Sequence, residues 1–165
     1  MIEFKAVVDD GEILVVERLA REIWTEHFVP VIGMPQVEYM LNEFQSAAAI
    51  KRYLAQGYKY YLVNFDGVSA GYLAFLPKAG RQELFLSKFY LLLHYRGKGI
   101  GREMMGFVED MARNGALKKV SLKTNKKNLD TICFYEKAGF THKVSDVTDI
   151  GGGFVADDWL MEKAV

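Results

Sequence analysis

A chain of 165 residues, half of them hydrophobic and a quarter charged, has the size and make-up of one globular domain with a substantial core. Its 21 Lys and Arg balance 21 Asp and Glu, which excludes a general nucleic-acid binder, since that needs a large basic excess against phosphate. Cys133 is the single cysteine, so no intrachain disulfide forms and a reducing, cytoplasmic location is expected. Met1 to Lys5 lacks the long apolar run of a signal peptide, and the Phe89–Leu93 run is far too short for a bilayer. No membrane partner is expected.

No repeat, low-complexity tract or linker interrupts the sequence, which reads as one continuous domain over residues 1–165. Ile2, Phe4, Val7 and Val8 predict a first strand over 2–8, ended by the turn signal Asp9-Asp10-Gly11. Ile13, Val16, Leu19, Ala20 and Ile23 recur at helical spacing and predict an amphipathic helix of roughly four turns. Pro30 and Gly33-Met34-Pro35 break it. Two further helical stretches carry Val37, Met40, Leu41 and Phe44, then Ile50, Tyr53 and Leu54, the second capped by Ser46 and stopped by Gly57.

At Tyr58 the pattern changes to strands over 58–65 and 68–76, separated by the hairpin signal Asp66-Gly67. A third strand over about 83–93 leads into a glycine-rich turn, Arg96 to Gly101. A helix with Ile100, Met104, Phe107, Val108 and Met111 on one face follows to Asn114, with Gly115 as its stop. Val120 and Leu122 mark a short strand, Asn128 to Ala138 a helix stopped by Gly139, and 140–147 with 154–162 two final strands. The hairpin requires an antiparallel pair, and the strand-helix-strand units of the second half require parallel neighbours. The fold class is therefore α/β: a mixed, predominantly antiparallel twisted sheet flanked by helices.

The turn Arg96-Gly97-Lys98-Gly99-Ile100-Gly101-Arg102 is the most informative segment. Alternate glycines let the backbone turn tightly and approach a ligand, and the orphan amides of the next helix's first turn face outward with the positive end of its dipole. Such a turn binds phosphate, above all a diphosphate, and Arg96, Lys98 and Arg102 add charge. A P-loop would need Gly-Lys-Ser/Thr, which is missing. A dinucleotide fingerprint would need Gly or Ala where Met104 or Arg102 stands, and an acid where the next strand ends in Lys123.

Arg96-Gly97-Lys98-Gly99-Ile100-Gly101 resembles the acetyl-coenzyme A diphosphate loop, Arg/Gln-x-x-Gly-x-Gly/Ala, of the GNAT superfamily of N-acetyltransferases. Asn128-Leu129-Asp130-Thr131-Ile132-Cys133-Phe134-Tyr135-Glu136-Lys137-Ala138-Gly139-Phe140 is similar to that family's Asn-x-x-Ala-x-x-x-Tyr-Glu-Lys-x-Gly-Phe segment, with Thr131 where Ala is usual. The resemblance covers about residues 58–147. It implies the GNAT acyl-CoA N-acyltransferase fold, acetyl-CoA as co-substrate, no metal, and direct attack of a primary amine on the thioester in a ternary complex. It implies cofactor contacts from Phe89, Tyr90, Leu91, Arg96, Gly97, Lys98, Gly99, Ile100, Gly101, Arg102, Asn128 and Lys137, with Tyr135 facing the thioester sulfur. A backbone N–H near Tyr90 or Leu91 would receive the charge on the carbonyl oxygen. Asn128 and Tyr135 also admit a plainer reading, a helix cap and a core ring.

The chemistry sets its own demands. With ordinary values near 10 for a phenol and 8.5 for a thiol, full proton transfer from Tyr135 to a thiolate is uphill by roughly 2 kcal/mol, so hydrogen bonding is its natural contribution. A lysine-like amine loses roughly 4.6 kcal/mol to reach its neutral form at pH 7, which calls for a base or water relay. Glu83 is the candidate base, with Ser87 on the same strand face along a water path. Its alternative is a solvated strand end.

The acceptor, a small-molecule or peptide amine, is expected in the helical region 12–57 and the last hairpin. There Trp24, His27, Phe28, Met34 and Tyr39 supply large side chains, and Asp146, Asp149, Asp157 and Asp158 form an acidic cluster. That cluster reads either as a lure for a cationic amine or as a solvated hairpin. His27, His94 and His142 lack metal-ligand spacing. A non-catalytic acetyl-CoA sensor and transfer of another acyl group are the alternative functions, and the sequence admits a homodimer.

Overall fold

Asp9 caps the first helix. Its carboxylate accepts the Glu12 amide at 2.8 Å, while Glu12 Oε1 accepts the amides of Val8 and Asp9 at 3.0 Å each. Asp9-Asp10-Gly11 is therefore not a turn: Asp10 and Gly11 open helix α1 (Asp10–His27), and strand β1 ends at Ala6 (Ile2–Ala6). Those two amides, with Lys5 at 3.3 Å, hold the Glu12 carboxyl below its ordinary range.

The computed structural model describes residues 1–165 apart from the side chain of His142. The chain forms two units, residues 1–76 with 88–104, and residues 77–87 with 105–165.

In the first unit α1 buries Ile13, Val16, Leu19, Ala20, Ile23 and Trp24 along one stripe, as the spacing predicts. Pro30 lies in the single turn α2 (Val29–Ile32), and Gly33, at φ +85°, redirects the chain into α3 (Met34–Phe44). Ser46 Oγ accepts the Ala49 amide at 3.2 Å and caps α4 (Ala47–Ala55), which gives way to Gly57 at φ +98°. Strand β2 (Lys59–Phe65) turns into β3 (Val68–Lys78) through Asp66 at φ +49° and Gly67 at φ +82°. Two left-handed residues in succession make the primed turn whose twist suits a hairpin. β1 lies antiparallel to β2 on the other side.

The β2–β3 register slips once: Val63 faces Gly71 while Asn64 faces Ser69, which leaves Ala70 as the extra residue of a bulge. The Ala70 carbonyl accepts the Leu92 amide at 2.9 Å. One residue on, a Cβ at Gly71 would stand 2.2 Å from the Tyr90 carbonyl oxygen. Tyr60, Leu62, Tyr72 and Ala74 point to the helices and join their core. The buried Tyr72 hydroxyl donates to Gln45 Oε1 at 2.8 Å.

Strand β4 (Glu83–Leu91) contributes its last four residues to the first unit and its first five to the second. There Leu84 lies opposite Val120 in the parallel pairing with β5 (Lys119–Asn125). Helix α5 (Ile100–Asn114) connects the two strands, and α6 (Leu129–Lys137), β6 (Thr141–Gly151) and β7 (Phe154–Ala164) complete the chain. The strands are hydrogen-bonded in the order β1-β2-β3-β4-β5-β7-β6. This is the mixed, mostly antiparallel sheet that was expected, with one correction. β6 runs in the direction of β5 but is not its neighbour, because β7 inserts between them antiparallel to both.

Helix α5 ends at Asn114 and Gly115 follows it, as expected; the left-handed residue of the turn is Ala116, at φ +57°. Gly139, at φ +101°, terminates α6. Glu109 of α5 receives Lys163 of β7 on both carboxylate oxygens, at 3.0 and 3.1 Å.

Glu12→Gln is expected to lower Tm at pH 7. A carboxyl held below its ordinary value stabilises the fold above about pH 4.5, and that contribution disappears as pH falls through the lowered value. Thermal melts from pH 7 down to 3 should show the gap between variant and parent closing. Gly71→Ala, whose methyl meets backbone rather than a yielding side chain, should cost about 1–3 kcal/mol by chemical denaturation.

Candidate functional site

After β4 the chain makes a 3-10 turn at Leu93–Tyr95 and reaches Arg96 in extended conformation (φ −74°, ψ 157°). Gly97 and Gly99 then take φ of +77° and +80°. Lys98 between them and Ile100 after them do not, so the sign of φ alternates along the turn. Alternation of this kind points successive amides to one side, the arrangement that gathers an anion. A Cβ at either glycine would meet nothing within 4 Å, so these positions require glycine for backbone handedness and not for want of room.

The first α5 hydrogen bond runs from the Glu103 amide to the Gly99 carbonyl at 3.3 Å, so the amides of residues 99 to 102 have no partner within the helix. Lys98 and Arg102 are exposed beside them. Cations at this end of a helix oppose its dipole and are favourable there only alongside an anion. Ile100, predicted among the ligand contacts, buries its side chain in the core, which leaves its amide as the part that can serve. Arg96 is braced: Nε donates to the Leu91 carbonyl at 3.4 Å, and Nη1 lies 3.3 Å from His27 Nδ1. The sequence offered no sign of that contact, which joins residues far apart in the chain.

Upstream, Tyr90 sends its ring toward α1. It lies 5.7 Å from Trp24, 6.2 Å from Phe28 and 5.3 Å from Tyr72 between centroids. Leu91 is buried and Phe89 half-buried. For Tyr90 and Leu91 the backbone is thus the part available to a ligand. Lys88, which the sequence analysis passed over, is buried on the same strand.

In the second unit Asn128, Ile132 and Tyr135 are buried along one face of α6. Asn128 occupies the N-cap position without capping by its side chain; its carbonyl accepts the Ile132 amide at 3.0 Å. Tyr135 packs against Phe134 and Phe140, each 5.7 Å away between centroids. Burial raises its phenol above the ordinary value. Lys137 is exposed in the last turn. Glu83, the first residue of β4, is buried and stands opposite Lys119.

The acidic hairpin is partly neutralised. Asp146 is 3.0 Å from Lys123, Asp157 is 2.7 Å from Lys126, and Asp149 accepts the Gly151 amide at 2.9 Å. Burial raises Asp158 to about 6. His142 lies outside the described residues. Among those described, no group of three or more His, Cys, Asp or Glu could hold a metal ion, and no helix is long and apolar enough to cross a membrane.

The predicted site residues thus fall into two sets. Phe89, Tyr90, Leu91 and Arg96 to Arg102 belong to the first unit; Glu83, Asn128, Tyr135 and Lys137 belong to the second.

Comparison with known proteins gives this arrangement its context. The uncharacterized N-acetyltransferase YjgM of Escherichia coli (strain K12) is 29% identical over 92 residues, 54% of this chain and 55% of that relative, so the match spans about half of its length. The structure of PaiA N-acetyltransferase from Thermoplasma acidophilum, in complex with coenzyme A, superposes with a TM-score of 0.79 at 20% identity over 100% of this chain and 99% of that one. A GCN5-related N-acetyltransferase structure from Rhodopseudomonas palustris superposes with a TM-score of 0.81 at 14% identity, over 99% and 95% of the two chains. Residues 17–140, which include both the glycine turn and the α6 segment, match the acetyltransferase (GNAT) family, and the chain belongs to that family.

Proposed function

We propose that the protein moves the acetyl group of acetyl-CoA to a primary amine by direct attack within a ternary complex. The observation that carries this reading is the turn at Gly97 and Gly99, with its alternating φ and its unpartnered amides at the head of α5. A diphosphate accepts hydrogen bonds from those amides, and Lys98 and Arg102 neutralise its charge. Membership of the acetyltransferase family and the coenzyme A bound to the Thermoplasma relative support it.

Three events follow along the reaction. The thioester carbonyl gains negative charge and is met by a backbone N–H near Tyr90 or Leu91. The coenzyme A thiolate leaves, and Tyr135 donates a hydrogen bond to it. A phenol raised by burial stays neutral while the thiol, ordinarily near 8.5, ionises, so Tyr135 stabilises the thiolate without giving up its proton. The acceptor ammonium must shed a proton to water before attack; Glu83, expected as the base, opens the nine-residue strand β4 at the end away from Tyr90 and Leu91 and is not beside the thioester carbonyl.

Gly99→Ala should weaken acetyl-CoA binding at least about tenfold by calorimetry, because an L-residue resists the left-handed backbone the turn requires. An unchanged Kd would remove the turn from the cofactor site. Tyr135→Phe should lower kcat by about tenfold or more and leave the acetyl-CoA KM nearly unchanged. Thiol release with a panel of amines is the assay for both constants. Binding of acetyl-CoA without release on any amine would mark a non-catalytic sensor instead.

A further inference from the structure

A row of side chains across the sheet of the first unit does not fit an ordinary core. Tyr60 of β2 faces Ala74 of β3. The Leu92–Ala70 hydrogen bond and the contact of the Tyr72 and Tyr90 rings, 5.3 Å between centroids, set the β3–β4 register. Continued by two residues, that register puts Ala74 opposite Lys88. Tyr60 and Lys88 therefore share the helix-side face with only a methyl group between them, their backbones about 10 Å apart.

Helix α4 supplies the cover. The Lys88 ammonium is 5.1 Å from the centre of the Tyr53 ring, and the Arg52 guanidinium is 5.4 Å from the same ring. Tyr58 meets Tyr53 edge to face at 4.9 Å. Tyr60 is 2% exposed and Lys88 8%, whereas Tyr53 and Tyr58 are only partly buried.

Two features of this row point to a ligand. The Tyr60 hydroxyl is fully buried and has no hydrogen-bond partner among the described residues. Phenylalanine would fill the same space without that cost, and a partner arriving from outside would satisfy the hydroxyl. The second is charge. The groups that act electrically on Tyr60 are Tyr53, Tyr58 and Arg52, with no carboxylate among them. The Lys88 side chain is buried, and that burial lowers its amine to about 8. In such a setting an anion gains more from an ammonium than it would in water.

We propose that Tyr60 and Lys88 form an anion subsite for the acceptor, which makes the substrate an amine that also carries a carboxylate. Tyr60 donates a hydrogen bond to one carboxylate oxygen, Lys88 supplies the positive charge, and Tyr53 and Tyr58 flank the carbon chain. Lys88 lies two residues before Tyr90, beside the strand segment given to the thioester, so an acid held there leaves its amine near the reacting carbonyl. This reading deepens the transferase assignment and rests on it.

The test uses matched acceptors, free amino acids and their carboxamides, in the thiol-release assay with acetyl-CoA. The parent enzyme should favour at least one acid over its amide tenfold or more in kcat/KM. Lys88→Met and Tyr60→Phe should bring that ratio close to one by raising the KM of the acid, with the acetyl-CoA KM within twofold of the parent. Tyr60→Phe should do so at an undiminished Tm, since it deletes only an unpartnered hydroxyl; a role in folding would instead lower the Tm. A second arm needs no turnover. N-acetylglycine and N-acetylglycinamide are titrated into 15N-labelled protein, and only the acid should shift the Tyr60 and Lys88 amides, at least tenfold more weakly in Lys88→Met. A preference that survives both substitutions, a parent that favours amides, or equal shifts or none with the two probes overturns the subsite. Loss of acetyl-CoA binding itself would instead overturn the transferase reading, and calorimetry with acetyl-CoA alone tells the two apart.

Discussion

No side chain fits at residue 71, and much of the first unit follows from that. β3 passes so close to β4 that the Gly71 Cα hydrogen faces the Tyr90 carbonyl directly. The bulge at Ala70 makes this approach compatible with the β2 pairing on the other side, and the Leu92 amide, bonded to Ala70, fixes where β4 ends. From there each link is short: a 3-10 turn, Arg96 tied back to Leu91 and His27, then the two left-handed glycines. The turn is thus positioned by backbone contacts that begin in the β2–β3 hairpin and by the Arg96 side chain that ties it back. A loop held in this way keeps its amides aligned before any ligand arrives.

Local signals were legible in the sequence in proportion to how few structures satisfy them. Asp66-Gly67 admits one economical solution, a primed hairpin turn, and it forms with Phe65 facing Val68. The α1 stripe follows from helical periodicity alone. Asp9-Asp10-Gly11 had two solutions, and the wrong one was the more obvious, because the decisive partner is Glu12, which accepts amides on the N-terminal side of the cap. Gly115 follows the last residue of α5, as its position in the sequence suggests. The chain takes its left-handed step one residue later than glycine would suggest, and Leu117 is bonded back to Ala112.

Non-local features left no trace to read. The insertion of β7 between β5 and β6 depends on pairings such as Leu122 with Met161, which no window of sequence contains. Lys88 was invisible because one lysine in a strand is ordinarily a solvent-facing residue. Only the stacking of α4 over β4 makes it a buried cation against Tyr53. The acidic hairpin shows the opposite error, a cluster that stands out in sequence yet finds its counter-charges in Lys123 and Lys126. Two of the buried phenols, Tyr135 and Tyr60, also differ. Tyr135 sits among Phe134 and Phe140 on the helix face that the motif predicts, whereas Tyr60 brings a hydroxyl into a core of Leu62, Tyr72 and Ala74.

The alternation of φ through residues 97 to 100 separates two kinds of heredity in one site. Handedness is written in the main chain, so drift at positions 98 and 102 alters net attraction without reshaping the cradle. The proposed anion subsite is built instead from side chains of α4, β2 and β4, which can be exchanged while the turn stays as it is. A lineage built this way can change what it modifies many times over while the donor it draws upon stays the same.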